Sequence, residues 1–216
     1  MDLILFDLDG TITDSQSGIS ASYRHTMVEL GLSVDESAIR ACIGPPLSWS
    51  LALLGVPAER IPEAVQIWRN FFAVHGIFDN EVFAGVPAML ERLAGTGIRM
   101  GLATSKLHRF AVEILDHFAL SRYFDPIVGA TGDGRLTHKD EIVADALAQA
   151  GVPGSDRVVM IGDREHDMRG AVQNGVVPIG VSYGYGPQTE LESAGARWIV
   201  DSPGALTALI LTLAEG

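Results

Sequence analysis

The chain has a single cysteine, Cys42, among its 216 residues, so no internal disulfide can form and a reducing compartment is the natural setting. Positive charge is also scarce: 15 lysines and arginines face 27 acids, for a formal net charge of −12. That balance argues against nucleic acid or an anionic membrane surface as a general partner, since both need a basic footprint. It still allows a small anion to be held by a local cation. No apolar run is long enough to span a bilayer, and the N-terminus lacks a basic segment followed by an apolar one, so a cytoplasmic location is expected. None of Asn70, Asn80 and Asn174 starts a glycosylation triplet, and no repeat or low-complexity segment is present. Hydrophobic residues make up 47% of the chain, ample for a sizeable core.

What stands out is the opening run Leu3-Ile4-Leu5-Phe6-Asp7-Leu8-Asp9-Gly10-Thr11. Its continuous apolar stretch reads as a strand buried on both faces, because a half-exposed strand would alternate polar and apolar positions. Asp7 and Asp9 then fall at its carboxyl end, where open parallel sheets bind ligands. A period of two sends both carboxylates to the same side for as long as strand geometry persists. Gly10 permits a sharp turn or a close approach to a ligand.

From about residue 16 to 82 only helical patterns appear, with Ile19, Tyr23, Met27 and Leu30 recurring every three or four positions. Breaks at Gly31, Gly44-Pro45-Pro46, Gly55-Val56-Pro57 and Gly76 cut the segment into about four helices. From Gly85 onward, apolar runs alternate with helical patterns, the signature of a parallel sheet covered on both faces. Strands are expected at Ile98–Ala103, Pro126–Gly129, Arg157–Ile161, Val176–Val181 and Trp198–Val200. Helices are expected at 86–95, 107–119, 139–150, 165–174, 188–194 and 203–214. The predicted fold is α/β, a Rossmann-like doubly wound parallel sheet formed by residues 1–15 and 83–216. Residues 16–82 form an all-helical cap inserted after the first strand.

Three polar clusters follow strands or open helices: Thr104-Ser105-Lys106, Lys139, and Gly162-Asp163-Arg164-Glu165-His166-Asp167. In a doubly wound sheet they converge on the crevice that holds Asp7 and Asp9. Asp7 is suited to attack phosphorus as a carboxylate nucleophile, splitting one hard step into two easier ones. Asp9 is suited to donate and accept protons, given neighbouring anions that let a carboxyl keep its proton near neutral pH. Asp7 and Asp163 offer hard anionic oxygens to Mg²⁺, with the Asp9 backbone carbonyl as a third ligand. Asp167 would bind a metal-held water or orient Lys139. Thr104 and Ser105 offer hydroxyl and backbone N–H groups to phosphate oxygens, best if a helix starts there. Lys139 supplies a point charge for the developing oxyanion.

These residues, Asp7-Leu8-Asp9-Gly10-Thr11, Thr104-Ser105, Lys139, and Gly162-Asp163 with Asp167, stand in the order and at the kind of spacing found in the haloacid dehalogenase superfamily of phosphohydrolases, which the whole chain resembles. The resemblance implies a Rossmann-like core, a helical cap, Mg²⁺ dependence and an aspartyl phosphate on Asp7. It also implies a phosphate site including Gly10, Thr11, Thr104, Ser105 and Lys139, and a metal site including Asp7, Asp9, Asp163 and Asp167. Ile43-Gly44-Pro45-Pro46-Leu47 and Leu102-Ala103-Thr104-Ser105-Lys106 resemble the phosphoglycolate phosphatase and 5′-nucleotidase-like branch. Ser105 stands where asparagine is common there, and His138 precedes the lysine where small or polar residues are commoner.

The expected activity is hydrolysis of a small phosphate monoester, with phosphoglycolate and nucleoside 5′-monophosphates as the first candidates. The expected partner is that metabolite alone; oligomeric state is not legible. A phosphomutase shares the two aspartates, and a phospho-receiver signalling module shares the acidic pocket, hydroxyl and lysine. The inserted helices and Asp9 argue against the receiver, and Asp9 has no clear task in halide displacement. His138 and His166 invite zinc, but a carboxylate-rich site favours Mg²⁺. Gly184-Tyr185-Gly186-Pro187 lacks dinucleotide-binding spacing. Arg24, Arg60 and Arg69 read as solvated charges or as receivers of an anionic substrate tail. Trp49, Trp68, Phe71 and Phe72 read as cap packing, with one aromatic free to line a pocket. Cys42 reads as a small apolar filler.

Overall fold

The computed structural model describes residues 1–215. Its strands form two sheets. The larger comprises β1 (Leu3–Phe6), β4 (Arg99–Leu107), β5 (Ile127–Ala130), β6 (Val158–Gly162), β7 (Val177–Val181) and β8 (Trp198–Val200), in the order β5-β4-β1-β6-β7-β8. Every neighbouring pair is parallel. The smaller is an antiparallel ribbon of β2 (Thr13–Asp14) and β3 (Glu81–Val82). Strand order reverses at β1, since the chain fills the β4 side first and returns to the β6 side, so the carboxyl end of β1 faces a topological switch point.

The uniform hydrophobicity of β1 has the expected cause. Leu3, Ile4, Leu5 and Phe6 are fully buried. Leu3 and Leu5 pack with Ile142, Val143 and Ala146 of α7 (Lys139–Ala150). Ile4 and Phe6 pack on the opposite face with Leu90 of α5 (Val86–Ala94), Ile114 of α6 (His108–His117) and Leu206 of α10 (Pro203–Glu215). Each such burial contributes about 1.5–3 kcal/mol. The remaining core helices are α8 (Glu165–Gln173) and α9 (Gln188–Ser193).

Between the ribbon strands lie α1 (Gln16–Glu29), α2 (Glu36–Ala41), α3 (Leu47–Leu53) and α4 (Ile61–Phe71), followed by a π-helical turn at Phe72–Gly76. Tyr23, Met27, Ile39, Leu51 and Phe72 are the buried centre of this segment. Trp68 stacks on Phe72 with ring centroids 4.7 Å apart, and Phe72 meets Phe110 of α6 edge-on at 5.2 Å. Phe72 therefore belongs to both parts of the molecule. Among the described residues, no helix is long and apolar enough to cross a membrane.

The structure departs from the sequence expectation in three places. The strand expected to stop at Ala103 runs to Leu107, because Thr104 pairs with Gly129 and Leu107 with Ala130, with a register shift between them. A sheet partner has overridden a polar, loop-like sequence. The following helix starts at His108 and ends at His117, shorter than expected. Glu81–Val82, expected within an all-helical segment, pairs with Thr13–Asp14 as a strand.

Gly18 of α1 sets the distance between that helix and the π turn: a Cβ added there would lie 2.1 Å from the Gly76 carbonyl oxygen. Two backbones meet at that point and neither can swing aside. Gly18→Ala is expected to destabilise the protein by about 1–3 kcal/mol, read as a lower urea midpoint. Gly204→Ala in α10, where nothing lies within 4 Å, should be neutral or stabilising by up to about 1 kcal/mol.

Candidate active site

β-pairing continues one residue beyond β1, where the Asp7 amide donates to the Ile161 carbonyl at 2.9 Å. The chain then turns, with Gly10 at φ +80°. A side chain at Gly10 would strike Asp163, whose Oδ2 lies 2.2 Å from the position a Cβ would take. The Gly10 amide donates to the Thr13 carbonyl at 2.8 Å and the Thr11 amide to the Leu8 carbonyl at 3.2 Å. Both N–H groups are therefore used inside the turn, while the Thr11 hydroxyl is buried without a partner. Thr11 is fully buried, and its carbonyl accepts from the Tyr183 hydroxyl at 3.0 Å.

Strand geometry does not persist to Asp9, and the two carboxylates have different surroundings. Asp7, Asp163 and Asp167 each place an oxygen within 4.8 Å of the others, all three buried. The first residue of α7, Lys139, reaches into this cluster. Its Nζ lies 3.0 Å from Asp7 Oδ1 and 2.6 Å from Asp167 Oδ1, and it donates to the Ala103 carbonyl at 3.0 Å. Asp163 Oδ2 accepts from the Tyr185 amide at 2.7 Å. Asp167 Oδ2 accepts from the Arg164 amide at 3.0 Å, closing the first turn of α8. Arg164, not Asp163, is the N-cap of that helix, so the carboxylate of Asp163 is free of a capping task.

Three carboxylates face one ammonium in a dry site, and their protonation reflects it. Burial pushes Asp7 up to about 6; Lys139 opposes this, Asp167 reinforces it, and the Thr104 hydroxyl opposes it weakly. Asp163 is raised well above the ordinary carboxylate range by burial first and Asp167 second, against the pull of the Tyr185 amide. Burial alone would depress Lys139, but Asp167 and Asp7 outweigh it and hold the ammonium above its ordinary value. Asp163 Oδ1 accepts no hydrogen bond, and the Oδ1 atoms of Asp7 and Asp167 have charge pairing to Lys139 without an aligned hydrogen bond. Hard, under-neutralised oxygens converging on one point fit a small divalent cation such as Mg²⁺. Among the described residues no histidine joins this group; His166 instead lies edge-on to Trp49 at 6.4 Å.

Asp9 belongs to a second arrangement. Its carboxylate is bound by Lys106 Nζ at 2.7 and 2.9 Å and accepts from the Ser15 hydroxyl at 2.6 Å. Lys106 also stands over the Phe72 ring, 4.6 Å from its centroid. Asp9, Ser105 and Lys106 line a cavity of about 320 Å³ between the helical segment and the sheet, walled by Tyr23, Trp68 and Phe110. The Ser105 hydroxyl is buried without a partner. Thr104 is buried, its Oγ1 accepting from the Lys106 amide at 3.2 Å. Because the helix begins only at His108, the amides of Thr104 and Ser105 do not belong to a helix N-terminus.

Asp7, Asp163, Asp167, Lys139 and Thr104 are thus brought together, with Asp9 and Ser105 on the cavity side. The Asp9 carboxylate is not part of the acidic cluster, so the backbone carbonyl is the atom it has to offer a metal. Sequence reasoning missed Lys106 as a partner of Asp9; its place between Ser105 and a helix was the available signal. It also missed Tyr185, whose hydroxyl accepts from the Ser15 amide at 2.8 Å and donates to Asp14 Oδ1 at 3.0 Å. One residue thereby joins Asp163 to the ribbon that roots the helical segment. Trp49, expected in packing, is 51% exposed, whereas Cys42 is buried as expected, its thiol pushed up to about 11 by burial.

Known proteins resemble the chain over most of its length. A 5′-nucleotidase of Pseudomonas aeruginosa is 43% identical over 192 residues, 88% of this chain and 86% of that protein. The tyrosine-protein kinase PtkA of Mycobacterium tuberculosis is 39% identical over 185 residues, 85% of this chain but 63% of that longer protein. The crystal structure of a predicted phosphatase from Clostridium acetobutylicum matches with a TM-score of 0.93 at 39% identity, covering 98% of each chain. The family model for haloacid dehalogenase-like hydrolases matches residues 4–181, and with the acidic cluster, Lys139 and the inserted helices in place, the chain belongs to that family.

Proposed function

We infer that this hydrolase is a Mg²⁺-dependent phosphatase of small phosphate monoesters, with phosphoglycolate and nucleoside 5′-monophosphates as the leading substrates. The observation that carries this reading is the separation of two acids on one loop. Asp7 lies in the acidic cluster against Lys139, and Asp9 faces the cavity against Lys106 and Ser15. Groups so close in sequence are placed for different tasks.

In this reading the Asp7 carboxylate attacks phosphorus and the bond to the leaving oxygen breaks, with Asp9 delivering the proton that oxygen needs. Water then attacks the aspartyl phosphate while Asp9 takes its proton, restoring the Asp7 carboxylate and releasing phosphate. Asp7, Asp163 and Asp167, with the Asp9 carbonyl, would hold Mg²⁺, which supplies charge neutralisation for carboxylate and phosphoryl oxygens. Thr104, Ser105 and Lys139 would hold the phosphoryl group, and Gly10 and Thr11 shape the loop beneath it. Lys106 keeps Asp9 oriented toward the cavity in the resting state. Residues 16–82 act as a cap over the core of 1–15 and 83–216, limiting water access. The ribbon of β2 and β3, joined to Asp163 through Tyr185, is the natural hinge.

Asp7→Asn is expected to leave a folded protein whose Mg²⁺-dependent phosphate release from a panel of small phosphates falls roughly a thousandfold or more; near-normal activity would overturn the nucleophile assignment. Running the same panel with product analysis separates hydrolysis from return of phosphate to a sugar. A tyrosine-containing peptide with ATP tests the activity for which PtkA is named.

The crowded acids also give a pH prediction. Asp7 and Asp163 have folded-state pKa values raised above the unfolded ones, Asp7 to about 6, so the Asp7 contribution is most favourable below about pH 4 and declines as pH rises through about 6, and Asp163 acts in the same direction. With chelator present, thermal stability should therefore fall across that window. Mg²⁺ should raise the melting temperature at pH 7.5 far more than at pH 5, where protons compete for the same oxygens. Asp163→Asn should melt above the wild type in chelator and lose most of the Mg²⁺ response. An equal Mg²⁺ effect at both pH values would count against the site.

A further inference from the structure

Three arginines of the helical segment looked alike in sequence, and the structure separates them. Arg24 pairs with Glu36 at 2.7 and 2.8 Å. Arg60 pairs with Glu63 and donates to the Leu30 carbonyl at 2.9 Å. Arg69 has no carboxylate partner among the described residues; it is half-buried and lines the cavity that contains Asp9. The other charged residues lining that cavity are already matched, Asp9 with Lys106 and Asp133 with Arg135. Arg69 is therefore the unmatched charge of the chamber, on the wall contributed by α4.

Its surroundings make this positive charge costly without a counter-ion. Trp68 precedes it and Val65 lies one turn back, both lining the same cavity. Burial lowers the Arg69 pKa, and the nearby Arg109 guanidinium lowers it further. Arg69 and Arg109 also line a second, more open pocket that shares Leu107, Ala130 and Thr131 with the first. A guanidinium kept half-buried, unpaired with any carboxylate among the described residues and near a second cation, is suited to an anion that arrives from outside.

We propose that Arg69 receives a second anionic group, carboxylate or phosphate, carried by the leaving group of the substrate. This rests on the phosphatase reading, with the ester phosphate held at Asp7 and the body of the leaving group in the cavity. Of the two leading substrate classes it favours the acid-bearing one: a nucleoside offers no second charge, whereas a hydroxy acid or a bisphosphate does. The volume of about 320 Å³ leaves room for a leaving group larger than a two-carbon acid.

The test compares three esters of one chain length on the Mg²⁺-loaded protein: propyl phosphate, 3-phosphooxypropanoate and propane-1,3-diyl bisphosphate. The wild type should favour at least one ester bearing a second anionic group over propyl phosphate by roughly 10- to 100-fold in kcat/KM, and the preferred ester identifies the anion as carboxylate or phosphate. In Arg69→Gln that ratio should collapse toward one, mainly through KM, and Arg69→Lys should recover part of it. Arg24→Gln, outside the cavity, should keep the wild-type ratio. A wild type that hydrolyses propyl phosphate equally well, or an Arg69→Gln variant that keeps the preference, overturns the inference while leaving the phosphatase reading intact. A preference for nucleoside 5′-monophosphates over all three, untouched in Arg69→Gln, overturns it as well. No hydrolysis of any phosphate ester by the wild type overturns the phosphatase reading itself. A wild-type ratio near one overturns the inference whatever the variants do, and Arg69→Lys gives the readout for Arg69 where Arg69→Gln fails to fold.

Discussion

The structure depends on one electrostatic imbalance: three buried carboxylates, Asp7, Asp163 and Asp167, share a single buried ammonium, Lys139. Taken out of water, such charges are unfavourable unless something balances them, and one lysine balances only part. The fold holds them in place nonetheless, because each is fixed by backbone. Asp7 is tied through its amide to β6, Asp163 by the Tyr185 amide, and Asp167 by the first turn of α8. A cluster held in this way could take up a cation, and the proposed function places an anionic substrate beside it.

Everything else serves that placement. The reversal of strand order at β1 brings loops from four strands to one end of the sheet, so groups distant in sequence share a crevice. The helical segment closes over it through Phe72, which stacks with Trp68, meets Phe110 edge-on and carries the Lys106 ammonium against its ring. Lys106 in turn binds Asp9. Asp9, which we propose handles the protons, is thereby linked to an aromatic of the helical segment, whereas Asp7, the proposed nucleophile, is held by core residues. If the helical segment moves as a cap, as proposed, the movement would be felt first at Asp9.

Much of this was legible in the sequence because it depends on local pattern. A strand buried on both faces must be apolar throughout, as Leu3 to Phe6 are, and helices after it must punctuate with glycine and proline. The cluster residues were legible because few other chemistries place acids, hydroxyl and lysine in that order at strand ends. What escaped depends on long-range pairing. The extension of β4 through Thr104 and Ser105 exists only because β5 lies beside it, and polar residues there give no sign of a strand. Lys106 stood in a polar cluster with no partner assigned to it, and Arg69 was one of three arginines read alike, as solvated charges or as receivers of an anionic tail. Only the positions of carboxylates elsewhere in the chain reveal that one is paired to Asp9 and the other is left facing a cavity.

The most direct measurement of the central claim is the identity of the phosphorylated atom during turnover. Protein mixed with a rapidly hydrolysed substrate, quenched in acid and digested, should yield the N-terminal peptide carrying one phosphoryl group, acid-stable and base-labile, with borohydride reduction converting residue 7 to homoserine. A phosphoryl group found on another residue, or steady release of phosphate with an unmodified Asp7 at every time point, would contradict the account.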